Sequence, residues 1–213
     1  MKTIVDANPA ARLAKDLVAY VNTLDHAHIA VSGGSTPRAL FKILASEYRR
    51  AARWDRVTIW QVDERTVPPT DSLSNWKMIQ EELLSQIIEL KSHRMEAERL
   101  SAADDYETLL RTHQIKLDLV LLGMGADGHT ASLFPGTAGL EERDRLVVRN
   151  EIPQLTTHRV TMTFPFINAA RERWFLVAGA DKADAFNRVL QGELPAARVP
   201  DPAWYVDPAA IGQ

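Results

Sequence analysis

Two hydrophobic rhythms alternate along this chain. Short apolar runs at 28–31, 57–62, 117–122, 174–178 and 204–206 are too brief for buried helices and are bounded by glycine or charge, so each predicts a strand. Residues 159–164, RVTMTF, alternate strictly between polar and apolar, which predicts another. Between these runs the spacing becomes helical. Leu13, Leu17, Val18 and Val21 share one face of a helix over 9–22 that opens at Pro9, and Ala39, Leu40, Ile43 and Leu44 do the same after Pro37. Met78, Ile79, Leu83 and Leu84 follow a helix start near Ser74, and Tyr106, Leu109 and Leu110 lie on a helix from an N-cap at Ser101 through His113. Pro165 opens a short helix through Asn168 and Ala170, and Phe186, Val189 and Leu190 mark the last amphipathic segment. Strands alternating with helices predict an α/β fold of three layers, with a mainly parallel sheet covered on both faces.

Length and composition narrow the picture. With 213 residues, the chain suits one domain over 1–213 that buries roughly 70% of its unfolded surface. Hydrophobic residues are 46% and charged ones 25%, and no apolar run approaches the roughly 18 residues of a membrane span, so a soluble protein away from membranes is expected. The first residues show no continuous apolar core or cleavage site of a secretory signal. The chain has no cysteine, which excludes disulfides and thiolate chemistry and fits a reducing cytoplasm. A net charge of −3 gives no nucleic-acid footprint, and Arg49, Arg50 and Arg53 read as a solvated helix end.

The candidate chemistry lies where strands end. After the run at 117–122, Gly123, Gly125 and Gly128 frame Asp127 and His129, residue types that hold and move protons near neutral pH. In an open parallel sheet, such a loop lies where ligands bind. After the strand at 28–31 comes Ser32-Gly33-Gly34-Ser35-Thr36-Pro37, leading into a helix. Backbone amides, three hydroxyls and the helix dipole favour an anion there, although an N-capped turn would look the same. The segment is neither a Walker loop nor a GxGxxG loop. Asp63-Glu64-Arg65 follows the strand at 57–62 and reads either as a solvated loop or as the start of a long functional connection. Lys182 stands at a helix start, where an anion would suit it better than the dipole does. No HExxH helix or clustered ligand pattern suggests zinc, and no metal is expected.

Four motifs in order, VSGGSTPRALF at 31–41, WQVDERTVPPTDSLSNW at 60–76, LVLLGMGADGHTASLFPG at 119–136 and RVTMTFPFINAARERWFLVAGADKA at 159–183, resemble the 6-phosphogluconolactonase family. That family sits in a larger group with glucosamine-6-phosphate deaminase. The resemblance spans nearly the whole chain and implies a fold of the glucosamine-6-phosphate deaminase/ribose-5-phosphate isomerase type. It also implies hydrolysis of 6-phospho-D-glucono-1,5-lactone without a metal or organic cofactor; the expected partner is that sugar-phosphate lactone, and the expected form a monomer or weak homodimer. Carried over by position, Gly33, Gly34, Ser35 and Thr36 with Ser32 would hold the phosphate together with Lys182, assisted by Arg38. His129 would be the general base, oriented by Asp127 or Asp63. Arg65 would stabilise charge on the lactone oxygen, while Gly125, Gly128 and Asn75 complete the implied site. Asn75 matches the family's Ser-Asn pair, with Trp76 in place of a more usual tyrosine.

Two rivals remain. A deaminase or isomerase on the same fold would resemble this chain at Asp63 and at 127–129. That branch carries a glutamate where Phe134 stands and a tyrosine where Arg65 stands, and its chemistry needs those acid-base groups. A non-catalytic sugar-phosphate sensor is the other, since fold alone does not settle function.

Overall fold

Two-sided burial accounts for the continuous apolar strands. In the computed structural model, which describes residues 2–213, β1 (Lys2–Val5) leads through α1 (Pro9–Val21) to β2 (Ala27–Val31), α2 (Ser35–Glu47) and β3 (Val57–Gln61). Next come β4 (Asp63–Arg65), α3 (Asn75–Ile79), β5 (Lys91–His93), α4 (Ala102–Thr112) and β6 (Leu119–Leu122). The chain continues with β7 (Val147–Ile152), β8 (Thr157–Met162), α5 (Phe164–Asn168), β9 (Glu172–Val177), α6 (Ala183–Leu190) and β10 (Ala203–Val206).

Seven strands form one parallel sheet in the order β1-β10-β9-β6-β2-β3-β5, and β4-β8-β7 make a smaller antiparallel sheet. Alternate residues of the large sheet face opposite cores. Ile29, Val31, Leu119, Leu121 and Leu176 pack with Leu13, Leu17, Leu40 and Phe41 of α1 and α2. Ala30, Trp60, Val120, Leu122 and Phe175 pack on the other side with Tyr106, Leu110 and Phe186 of α4 and α6, and with Val160 and Met162 of the small sheet. Each buried Val, Leu, Ile, Phe or Met side chain contributes about 1.5–3 kcal/mol, which is why both faces read as hydrophobic. The layered, mainly parallel fold is as expected.

Strand order places the site. From β2 the chain moves outward to β3 and β5, whereas β6 pairs on the other side of β2 and leads to β9. The crevice beyond the carboxyl ends of β2 and β6 is thus the switch point where open α/β sheets take ligands. The loops after the two strands are neighbours there, joined by Ser32 N donating to Leu121 O at 3.1 Å.

Three local expectations change. Asp63, Glu64 and Arg65 are not a solvated loop: they form β4, paired with β8, and Asp63 and Glu64 are buried. Ser101 stands before α4 but does not cap an amide, because its hydroxyl bonds Asp105 Oδ2 at 2.7 Å. The strand expected over 159–164 begins and ends two residues earlier, since Phe164 already starts α5.

Candidate active site

The strand β2 leads into Ser32-Gly33, and Gly34 adopts φ 110° before α2 starts at Ser35. Gly33 is required by a close approach: a Cβ there would lie 2.0 Å from Asn75 Oδ1. This packs the loop against the start of α3 and leaves first-turn amides of α2 at the edge of a cleft of about 290 Å³. The side chain of Ser32 lines the same cleft, and its buried Oγ has no hydrogen-bond partner. A buried unpaired hydroxyl costs free energy that a bound acceptor or donor would offset.

Opposite this loop, Gly125 and Ala131 line the cleft with His129. Asp127 Oδ1 lies 2.5 Å from His129 Nδ1 and also accepts from its backbone N at 3.2 Å. Burial alone would raise the Asp127 carboxyl, but the hydrogen bond and charge of His129 prevail and hold it below its ordinary range. The contact with the carboxylate occupies Nδ1, and no hydrogen bond engages Nε2 among the described residues. Gly125 is needed beside the ring, for a Cβ there would lie 2.2 Å from both Cε1 and Nδ1. Phe134 stacks on the imidazole with centroids 3.8 Å apart and planes at 21°.

The third wall comes from β4 and α3. Glu64 is buried at 2% exposure and accepts from Gln61 Nε2, Ser74 Oγ and the backbone N of Arg65, Asn75 and Trp76, at 2.6–3.1 Å. A carboxylate at a helix start is favoured, and here it ties α3 to β4. Asn75 Nδ2 donates to Asp63 O at 3.0 Å, and Ser132 Oγ donates to Asp63 Oδ2 at 2.6 Å. Arg65 lines the cleft, with Nη1 donating to Leu73 O at 2.6 Å. Lys182 closes the fourth side, its ammonium 3.0 Å from the exposed Asp181.

Of the expected residues, Ser32, Gly33, Gly34, Ser35, Thr36, Asp63, Arg65, Asn75, Gly125, His129 and Lys182 meet at this cleft, and Asp127 touches it through His129. Two do not. Arg38 is exposed on α2 and pairs with Glu82 at 3.0 Å. Gly128, at φ 75°, lies under the Leu194 side chain and has a structural place in the loop.

A family model described as "Glucosamine-6-phosphate isomerases/6-phosphogluconolactonase" matches residues 3–210. The chain belongs to this family. A 6-phosphogluconolactonase of Haemophilus influenzae is 33% identical over 219 residues, covering 94% of this chain and 93% of that one. One from Chlamydia muridarum is 38% identical over 166 residues, and the match spans 76% of this chain but only 65% of that relative. Among solved structures, the 6-phosphogluconolactonase of Thermotoga maritima superposes with TM-score 0.84 at 27% identity, covering 96% of this chain and 97% of that one. A monomeric glucosamine-6-phosphate deaminase shares the fold at TM-score 0.82 and 20% identity, over 99% of this chain and 98% of that one.

Because both branches of the family share the fold, the side chains around His129 must discriminate between them. Phe134, buried on the imidazole, offers no proton, and Arg65 adds a positive charge. Glu64, Ser132 and the Phe134 stack were not singled out as site-building groups by the sequence. Glu64 had a readable signal, a carboxylate between a buried strand and a Ser-Asn helix start.

Proposed function

We propose that this protein hydrolyses 6-phospho-D-glucono-1,5-lactone to 6-phospho-D-gluconate in the oxidative pentose phosphate pathway, without a metal or organic cofactor. The observation that carries the reading is the Asp127–His129 pair, bonded through Nδ1, at a cleft lined also by the glycine loop and Lys182. The phosphate rests on the amides and hydroxyls of 33–36, with Ser32 and the Lys182 ammonium beside it. His129 Nε2 takes a proton from water as the oxygen attacks C1, and Asp127 stabilises the imidazolium that forms. The spare donors of Arg65 face the carbonyl oxygen as it becomes an oxyanion. When the tetrahedral centre collapses, the C1–ring oxygen bond breaks and the imidazolium returns its proton to that oxygen. Asp63, held by Ser132, contributes to the cleft wall and faces substrate hydroxyls.

The working form we propose is a monomer or weak homodimer. Among the described residues no helix is long and apolar enough to cross a membrane, and absence of cysteine suits a reducing cytoplasm. The elements around two shared cores support one domain over 1–213.

Acid release from the lactone, corrected for spontaneous hydrolysis, tests the reading. The wild-type protein should exceed background, and His129→Gln should lower turnover roughly 100- to 10,000-fold. An unchanged corrected rate in the variant would remove His129 from the mechanism.

A further inference from the structure

The bond to Asp127 anchors one edge of the His129 ring but does not fix its plane. A ring held at Nδ1 alone can still rock, and a general base off line by a fraction of an ångström loses rate. The structure supplies a second restraint. Phe134 lies nearly parallel to the imidazole at 3.8 Å and is itself buried, with 7% exposure.

The backbone is shaped to bring the two rings together across five residues. Thr130 Oγ1 donates to Gly123 O at 2.9 Å, and Leu133 N donates to Thr130 O at 3.0 Å, closing a tight turn. Inside that turn Ala131 has φ 53°, a left-handed conformation uncommon for a residue with a side chain. Such a conformation persists where its surroundings over-determine it. Beyond the turn, Phe134 O accepts from Thr137 Oγ1 at 2.8 Å, and Thr137 Oγ1 accepts from Asn150 Nδ2 at 2.9 Å. The backbone that carries Phe134 is therefore braced from the small sheet.

We infer that Phe134 is the positioning residue of His129, its stacked ring fixing the imidazole plane so that Nε2 faces the cleft. This rests on the reading of His129 as general base. The phenyl face also carries negative quadrupole potential, so it attracts the imidazolium more than the neutral ring. That contribution grows as the base takes its proton, which places the effect in turnover rather than in substrate affinity.

The test compares Phe134→Leu and Phe134→Tyr with wild type and His129→Gln. Phe134→Leu should lower kcat about 3- to 30-fold, with KM for the lactone unchanged within about twofold, and Phe134→Tyr should restore most of the loss. Proton NMR of the His129 ring gives a readout that needs no catalysis. In wild type and Phe134→Tyr its carbon-bound protons should be shifted upfield by the aromatic ring current, and in Phe134→Leu the shift should vanish. Wild-type kcat in Phe134→Leu beside an inactive His129→Gln would overturn the inference while leaving the base assignment intact. Absence of the upfield shift in the wild-type protein would overturn it even if the leucine variant failed to fold. Full turnover in His129→Gln would sink the base assignment and this inference with it.

Discussion

Ser132 donates its hydroxyl to Asp63 Oδ2 at 2.6 Å, and that contact separates the two carboxylates nearest the proposed reaction. Asp63 is tied to the loop wall, so the partner of His129 is Asp127, at 2.5 Å from Nδ1. Asp127→Ala should lower kcat roughly 10- to 100-fold, less than loss of the base itself. Nitrogen NMR should show the imidazole proton leaving Nδ1 in Asp127→Ala and staying there in Asp63→Asn. The opposite assignment of the two variants would reverse the roles.

Lys182→Ala should weaken 6-phosphogluconate binding about 10- to 150-fold, the range for a charge-assisted contact of roughly 1.5–3 kcal/mol. Its ammonium lines the cleft, and its only ion-pair partner among the described residues is the exposed Asp181. Binding of unphosphorylated gluconate, measured by calorimetry, should not change. Equal losses for both ligands would mean that Lys182 does not read the phosphate.

Glu64→Gln should destabilise the fold. Glu64 accepts three backbone amides, and a glutamine in its place turns an NH2 group toward donors. Unsatisfied buried groups cost about 1–3 kcal/mol, and each kcal/mol lowers Tm by about 2–4 °C in a chain of this size. Calorimetry should therefore show a Tm lower by several degrees, and an unchanged Tm would deny Glu64 its bracing role.

Acid should weaken the protein through His28 and His93. Trp60 Nε1 donates to His28 Nδ1 at 3.1 Å and stacks on His93 at 4.2 Å. Burial lowers both imidazoles below their ordinary value. His26 reinforces the shift at His28 against the opposing charge of Asp118, and His113 and His28 reinforce it at His93. A depressed histidine binds fewer protons folded than unfolded, so this stability is complete above about pH 6.5 and is lost as pH falls below it. The urea midpoint should drop between pH 7.5 and 5.5, and less so in His28→Gln, which keeps an acceptor for Trp60. Parallel slopes in the two proteins would contradict this.

Much of this was legible because burial and periodicity act locally. LVLL at 119–122 reads as a two-sided strand, and the glycines after it as a turn or active-site loop. Less legible was whatever depends on distant partners. β5 reads KSH and contributes no hydrophobic pattern, and β1 buries only Ile4. Arg38 lies one turn into a helix whose N-terminus faces the cleft, yet its side chain leaves for Glu82, a residue 44 positions away. The charged stretch at 63–65 stays open between a solvated loop and a functional connection in the sequence, because Glu64's donors lie up to 12 residues downstream. Phe134 reached His129 through the left-handed turn at Ala131, which no propensity for alanine would forecast.

The central claim is lactone hydrolysis rather than amino-sugar chemistry on a shared fold. Both substrates carry the phosphate that the glycine loop and Lys182 would hold, so only the groups at C1 and C2 decide. The lactone needs one base and one oxyanion partner, the roles proposed for His129 and Arg65. Deamination needs ring opening, proton transfer between C1 and C2, and amine loss, with a further acid where the buried ring of Phe134 stacks on His129. The direct measurement offers purified protein 6-phosphogluconolactone and glucosamine 6-phosphate at equal concentration, following acid release from one and ammonia from the other. The account predicts acid release well above the spontaneous rate and no ammonia; ammonia formation with no lactone hydrolysis above background would contradict it.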